Sequence, residues 1–283
     1  MSQTLYVNNN GKILDSNQPS IYSGNRAYSY GDGLFESIRI LNGKVLNVGP
    51  HLQRIQEGAK ALKMRLPAHF TEAFFIEKFN ELITKSGITE GGRIRLSIDR
   101  LGGNTYAPDS NEVSFFIEVY PIEQNLFGLS GKGLEVDLYQ DIKKHKDALS
   151  NFKTKNGLLY VLASISAKEK GLDDLLLLND KGQILESTHS NIFVVSNGVL
   201  YTPGLSEGCL AGTMRMQVIN LELKNGLKVY ETTILPSNLL VADEVFLTNA
   251  VRGISWVGGY RTKRYVNSTA RKIVSFLNET WDV

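Results

Sequence analysis

Phe152-Lys153-Thr154-Lys155-Asn156-Gly157 is followed, one apolar-periodic run later, by Leu185-Glu186-Ser187-Thr188-His189-Ser190-Asn191-Ile192-Phe193. Lys153 opens a stretch in which Leu158, Leu159, Val161, Leu162 and Ile165 recur at helical spacing, so residues 153–170 read as a helix. Glu186 lies in a polar turn between two strand-like runs. Further on, Gly208-Cys209-Leu210-Ala211-Gly212-Thr213-Met214-Arg215 is a glycine-punctuated loop feeding a helix over 212–225. Helix, paired strands, loop and helix in that order give the second half of the chain an α+β character.

Working outward, the first half alternates strand and helix patterns. Residues 5–7, 12–14, 33–41 and 44–47 read as strands, the last two joined across Asn42-Gly43, a hairpin signal. Residues 50–66 and 70–86 carry apolar residues at helical spacing, while 93–99 and 113–120 return to strand alternation. The loop 101–111 between those two strands bears Gly, Asn and Pro and is long enough to suggest a functional role. Residues 124–133, with three glycines and little periodicity, read as a linker. Beyond it come a strand at 134–139, hairpins across 179–182 and 196–198, a strand at 228–233, a short helix at 237–241, a strand at 244–249 and a final helix at 268–278. The expected fold class is α+β in two domains: a smaller α/β domain over 1–122, an interdomain linker over 123–133 and a larger α+β domain over 134–283.

A length of 283 residues accommodates two such domains. A net charge of +2 with no basic block gives nucleic acid no electrostatic support as a partner. Lys143, Lys144 and Lys146 read as a solvated loop. The lone Cys209 can form no intrachain disulfide, which fits a reducing compartment. Residues 1–10 lack the basic and apolar regions of a signal peptide, and no run approaches the ~20 apolar residues that span a bilayer. A cytoplasmic protein with no membrane partner is expected. His51, His69, His145 and His189 lack metal-ligand spacing, so no metal is expected. Gly102-Gly103 is neither a Walker nor a Rossmann set, and no nucleophile elbow is present.

An amine to hold an aldehyde, a carboxylate to hold a pyridinium nitrogen and backbone amides to hold a phosphate are the requirements of pyridoxal 5'-phosphate. Lys153, Glu186 and residues 208–215 offer all of them. The chain resembles the class IV aminotransferase family, the fold-type IV pyridoxal-phosphate enzymes that include branched-chain aminotransferases, D-amino-acid aminotransferases and aminodeoxychorismate lyases. The resemblance runs from Tyr30-Gly31-Asp32-Gly33-Leu34-Phe35-Glu36 to Asn249-Ala250-Val251-Arg252-Gly253, with four motifs in the family's order. It implies a two-domain fold with the active site between the domains, the lysine carried by the larger domain, pyridoxal phosphate as cofactor and a homodimer.

On that resemblance Lys153, three residues before Asn156, is the lysine that forms the cofactor aldimine; Lys155 and Lys146 are its rivals. Such a lysine needs desolvation or a cationic neighbour before it is nucleophilic. Glu186 is the partner of the pyridine nitrogen. Arg54, in Gly49-Pro50-His51-Leu52-Gln53-Arg54-Ile55, resembles the family's phosphate arginine, a role suited to guanidinium. Thr213 and Met214 offer amides at a helix N-terminus, and Leu210 packs on the ring. Asn249 and Ala250 complete the cofactor set. Tyr30, Phe35, Arg95 and Tyr106 are the substrate-pocket candidates. Core packing is the alternative for Tyr30 and Phe35, and a salt bridge for Arg93 and Arg95. Tyr106 is placed by the resemblance in a loop that reaches a neighbouring subunit.

The branch of the family is open at this stage. Phe35-Glu36-Ser37-Ile38-Arg39 looks like an aminotransferase, whereas Asn249-Ala250-Val251-Arg252-Gly253-Ile254, without a hydroxyl, looks like a lyase. The expected function is transfer of an amino group between a small amino acid, branched-chain-like or D-configured, and a 2-oxo acid. Aminodeoxychorismate lyase, releasing 4-aminobenzoate and pyruvate, is the alternative. A non-catalytic member that binds the cofactor is a third, disfavoured by the presence of both Lys153 and Glu186.

Overall fold

The computed structural model describes residues 5–18 and 24–281, which form two compact units. One holds the described residues up to Leu126 together with Phe152–Asn156; the other holds Phe127–Asn151 and the described residues from Gly157 onward. This division differs from the sequence-based partition: residues 123–126 belong to the first unit. Residues 127–133 belong to the second unit. Phe127 is buried against Gly253, where a Cβ would come within 2.5 Å of its ring, and Gly133 approaches Gly258 so closely that a Cβ would meet its backbone at 2.5 Å. Close approach, rather than linker flexibility, explains Gly133. Lys153, expected in the second domain, packs with the first unit.

The first unit comprises β1 (Tyr6–Asn9), β2 (Lys12–Asp15), α1 (Arg26–Tyr30), β3 (Gly33–Leu41), β4 (Lys44–Val45), α2 (Val48–Ala61), α3 (Glu72–Lys85), β5 (Gly92–Arg100) and β6 (Val113–Pro121). Its strands form one sheet in the order β2-β1-β6-β5-β3-β4, with every pairing antiparallel. Period-2 alternation puts Leu34, Glu36, Ile38 and Ile40 of β3 on the buried face. Helix α2 lies over that face, its Gly58 so near Leu34 that a Cβ would sit 3.1 Å from both methyls. The helix stops short of the expected residue 66 because Lys63 turns left-handed, at φ 57°. Thr71 caps α3 by accepting from the Phe74 amide at 3.2 Å.

The lysine segment is extended rather than helical. Phe35 N donates to Lys153 O at 2.9 Å and Lys155 N to Gly33 O at 3.0 Å, with Thr154 bridging Leu34. Residues 153–155 thus occupy the open edge at the start of β3, where β4 does not reach, since β4 pairs only Ile40 and Leu41.

The second unit comprises β7 (Leu134–Leu138), α4 (Leu158–Glu169), β8 (Asp174–Leu178), β9 (Ile184–Ser187), β10 (Asn191–Ser196), β11 (Val199–Thr202), α5 (Thr213–Lys224), β12 (Val229–Glu231), α6 (Pro236–Val241), β13 (Glu244–Asn249), β14 (Gly253–Tyr260), β15 (Lys263–Arg264) and α7 (Ser268–Thr280). The strand order is β12-β11-β10-β13-β14-β7-β8-β9, with β15 on β14. Strand β9 also meets β10 through the Glu186–Asn191 pair, so the path from β10 through β13, β14, β7, β8 and β9 returns on itself. Its core is mostly aliphatic and includes Val136, Leu176, Ile192, Leu247 and Val257 together with Tyr260 and Tyr265. Helix α4 buries its alanine side, Ala163 and Ala167, while Leu158, Val161, Leu162 and Ile165 stay exposed, Leu158 at 76%.

Candidate active site

In the first unit Glu36 is the only acidic side chain on the buried face of β3, and α2 supplies its partners one turn apart. His51 and Arg54 stand at i and i+3, on the face that carries Ile55 and Gly58 toward the sheet. His51 Nδ1 lies 2.7 Å from one Glu36 oxygen; Arg54 donates through Nε at 2.7 Å and Nη2 at 2.5 Å. Burial would push the Glu36 carboxyl up, but the Arg54 and His51 charges and hydrogen bonds together outweigh it. They hold the carboxyl at about 2 against an ordinary 4.5. Burial pulls His51 below its ordinary 6.5 more strongly than Glu36 raises it, and the Arg54 and Lys153 charges act in the same downward direction. The ring is therefore neutral at pH 7 and donates Nδ1–H to an ionised Glu36.

Lys153 places its Nζ 4.5 Å from the Phe35 ring centroid, and the Arg95 guanidinium carbon lies 4.0 Å from the same centroid. Arg95 also faces Glu118 at 3.6 Å. Lys155 is ion-paired with Asp99, and Lys146 is exposed. Phe35 is half-buried and Tyr30 is 40% exposed, so neither is a core residue. Tyr106 is exposed in the 101–111 loop, its ring 5.7 Å from Tyr30. Arg26, over the Tyr30 ring, anchors that loop through the carbonyls of Gly103, Asn104 and Thr105. The loop is long yet ordered because one buried guanidinium collects its carbonyls.

In the second unit Glu186 is 2% exposed and meets three donors. Its Oε1 accepts from Lys144 Nζ at 2.6 Å and Tyr160 OH at 2.8 Å; its Oε2 accepts from Leu210 N at 2.6 Å. Burial first, and then the neighbouring carboxylate, push the Tyr160 hydroxyl far above its ordinary range, so it remains a donor. The 205–212 loop is fixed from two sides. Asn191 Nδ2 donates to Leu210 O at 2.8 Å, and Asn151 Nδ2 donates to Cys209 O at 2.6 Å. A Cβ on Gly212 would meet Asn191 Oδ1 at 1.9 Å, so only glycine fits there. Gly212 then starts α5 without a side-chain cap, with Thr213 and Met214 buried in its first turn. Cys209 is buried, and its thiol is pushed up to about 11, mainly by burial, which leaves it unreactive. Asn249 uses its Oδ1 on the amides of Val251 and Arg252, at 3.0 and 2.8 Å, and its Nδ2 on Ser190 at 3.1 Å; Ala250 follows it into the β13–β14 turn.

Two residues escape the sequence reading. Lys144, taken with its neighbours as a solvated charge, is buried, because its backbone amide continues the sheet by donating to Leu178 O at 2.9 Å. Tyr160 lies in the apolar run after Lys153 and looks like one more packing residue. No spacing rule links either to Glu186.

Residues 33–258 match the family described as amino-transferase class IV, and the chain belongs to that family. It is 30% identical over 254 residues to a putative branched-chain-amino-acid aminotransferase of Methanocaldococcus jannaschii, covering 87% of this chain and 84% of that one. It is 28% identical to a D-alanine aminotransferase of Bacillus licheniformis, over 85% of this chain and 83% of that one. An aminodeoxychorismate lyase of Vibrio harveyi is 25% identical, over 86% and 88%. Among solved structures, the branched-chain aminotransferase of Thermoproteus uzoniensis with norvaline matches with a TM-score of 0.88 at 24% identity, over 96% of this chain and 93% of that one. An aminotransferase from Brucella abortus bound to the cofactor PLP matches with a TM-score of 0.86 at 21% identity, over 98% and 99%. The fold is that of the fold-type IV aminotransferases.

Proposed function

We propose that this protein is a pyridoxal-phosphate-dependent aminotransferase exchanging an amino group between a small amino acid, branched-chain-like or D-configured, and a 2-oxo acid. The observation that carries the reading is Glu186, a carboxylate buried on a strand and aligned by three donors, in a family member that also keeps Lys153. The side chains fit the cofactor's chemistry. A buried carboxylate suits a ring nitrogen, and a helix N-terminus without a side-chain cap suits a phosphate. The glycine before that helix has no room for a Cβ.

When bound, the cofactor supplies a protonated ring that draws electrons from the substrate's α-carbon. Glu186 keeps the ring nitrogen protonated. Lys153 Nζ would be the amine that holds the cofactor through its aldehyde group, and when free of it would serve as general base and acid for the substrate's α-proton. Leu210 packs on the ring, and Arg54, the amides of Thr213 and Met214, Asn249 and Ala250 hold the rest of the cofactor. Tyr30, Phe35, Arg95 and Tyr106 line the substrate pocket, with Arg95 offering a carboxylate its guanidinium.

The test is a half-reaction screen of the reconstituted protein with single amino acids, followed by its absorption spectrum. Conversion by branched-chain or small D-amino acids supports the reading. Release of 4-aminobenzoate from aminodeoxychorismate without any 2-oxo acid, with no conversion by amino acids, makes it a lyase instead. A homodimer is part of the proposal. It is supported by the exposed stripe of Leu158, Val161, Leu162 and Ile165 on one side of α4, which another surface can cover. A stable, fully active monomer in light scattering at micromolar concentration refutes it.

A further inference from the structure

Lys144 has a setting that surface lysines do not have. Its Nζ lies 2.6 Å from Glu186 Oε1 and 3.2 Å from Ser150 O, and stands 5.8 Å from the Tyr160 ring centroid. The carbonyl it reaches belongs to a closed turn: Asp147 N donates to Ser150 Oγ at 2.8 Å and Leu149 N to Asp147 Oδ1 at 2.7 Å. A flexible four-carbon side chain has thus been ordered and its ammonium desolvated to reach one carboxylate. Both changes oppose folding unless the pair is well made.

We propose that Lys144 is a positioning residue for Glu186, setting which carboxylate oxygen meets the cofactor's ring nitrogen; this rests on the function proposed above. A carboxylate oxygen accepts two hydrogen bonds through its lone pairs. Among the described residues Oε1 accepts from Lys144 and Tyr160, whereas Oε2 accepts from one donor, Leu210 N. Oε2 is therefore the oxygen that would be left to accept a ring N–H, and rotating the carboxylate would break the Lys144 contact. Lys144 is also the ion-pair partner of Glu186, at 2.6 Å. Lys144 acts through Glu186.

The experiment reconstitutes Lys144→Met, Lys144→Arg, Glu186→Gln and the Lys144→Met/Glu186→Gln double variant with pyridoxal phosphate and records the visible absorption spectrum. The half-reaction rate is measured with whichever amino acids convert the parent, and thermal unfolding is followed without cofactor. Lys144→Met is expected to shift the spectrum toward that of Glu186→Gln. It should slow the half-reaction about ten- to hundredfold, the factor a hydrogen bond to a charged group is worth. Its KM should change far less. Lys144→Arg should recover most of both. In the double variant the loss of Lys144 should add nothing to the spectrum or rate of Glu186→Gln, and this comparison stands even if Lys144→Met alone fails to fold. A parent-like spectrum and rate in Lys144→Met, or a further drop in the double variant, overturns the proposal. If Glu186→Gln itself behaves as the parent, the function reading fails first. Unfolding without cofactor reports the Lys144–Glu186 coupling separately.

Discussion

Replacing Glu36 by Gln tests the electrostatics of the first unit without touching Lys153 or Glu186. The substitution keeps shape but removes the charge that Arg54 and His51 face, leaving a buried guanidinium opposite a neutral amide. Breaking a buried pair from one side costs about 3–5 kcal/mol. The titration gives a consistent figure: a carboxyl held at about 2 rather than 4.5 is worth about 3 kcal/mol of folding stability near neutral pH. The pH dependence has a definite sign. Glu36 is depressed, so its contribution is full above 4.5 and fades as the pH falls through about 2. His51 is also depressed, so stability begins to fall once the pH drops below 6.5, where the unfolded ring takes up a proton that the folded one resists. Denaturant unfolding of parent and Glu36→Gln across pH 2–8 should show the parent stronger by about 3 kcal/mol at pH 7. The difference should shrink toward the acid end. A variant within about 1 kcal/mol of the parent at pH 7, or a gap independent of pH, refutes the reasoning.

Lys153→Ala should abolish turnover while leaving thermal unfolding of the cofactor-free protein close to the parent. Borohydride reduction of the reconstituted parent should fix the cofactor to the peptide bearing Lys153, and label recovered on Lys155 or Lys146 reassigns the amine. Gly212→Ala should weaken cofactor binding at least about tenfold, since the new Cβ would meet Asn191 at 1.9 Å and the fixed loop must shift by more than about 1 kcal/mol can absorb. Equilibrium titration with pyridoxal phosphate measures it, and parent-like affinity argues against the loop's role. Glu222 on α5 is fully buried with both carboxylate oxygens unpartnered, and burial raises its pKa above 4.5. Its contribution to stability is full below 4.5 and is lost as the pH rises through the folded value. Glu222→Met should therefore stabilise the protein at pH 8 by about 1–3 kcal/mol and by less at pH 5; destabilisation at pH 8 contradicts the picture.

The regular elements were legible where one face is buried and the pattern is long. Strand β3 carries its period-2 alternation from Gly33 to Leu41, and the structure keeps those limits. Strand β14 was not legible, because Gly258 and Gly259 interrupt its alternation where the backbone packs closely against Gly133 and Glu135. Residues 153–157 carry helix-like periodicity into α4, but pairing with β3 costs nothing locally and wins through tertiary hydrogen bonds. Lys153 and Glu186 could be singled out as candidates because motifs preserve their order along the chain. Arg54 could be singled out too, but its pairing and that of His51 with Glu36, and that of Lys144 with Glu186, could not, because the partners lie 18, 15 and 42 residues away. A buried lysine and a surface lysine look alike in a string of letters.

The strand addition at residues 153–155 has a consequence for how the protein is made. Every other strand of the first sheet is encoded by Pro121, but the opening half of β3 gains its last neighbour only with Lys153 and Lys155. A chain leaving the ribosome must synthesise roughly thirty further residues, a few seconds at ~5–20 residues per second, before that edge is covered. During this interval the amides and carbonyls of Gly33 to Phe35 are an open template for another nascent chain. The segment that carries Lys153 is also the one that covers this edge of the sheet. Any variant that loosens it should show its effect first in the yield of soluble protein during synthesis.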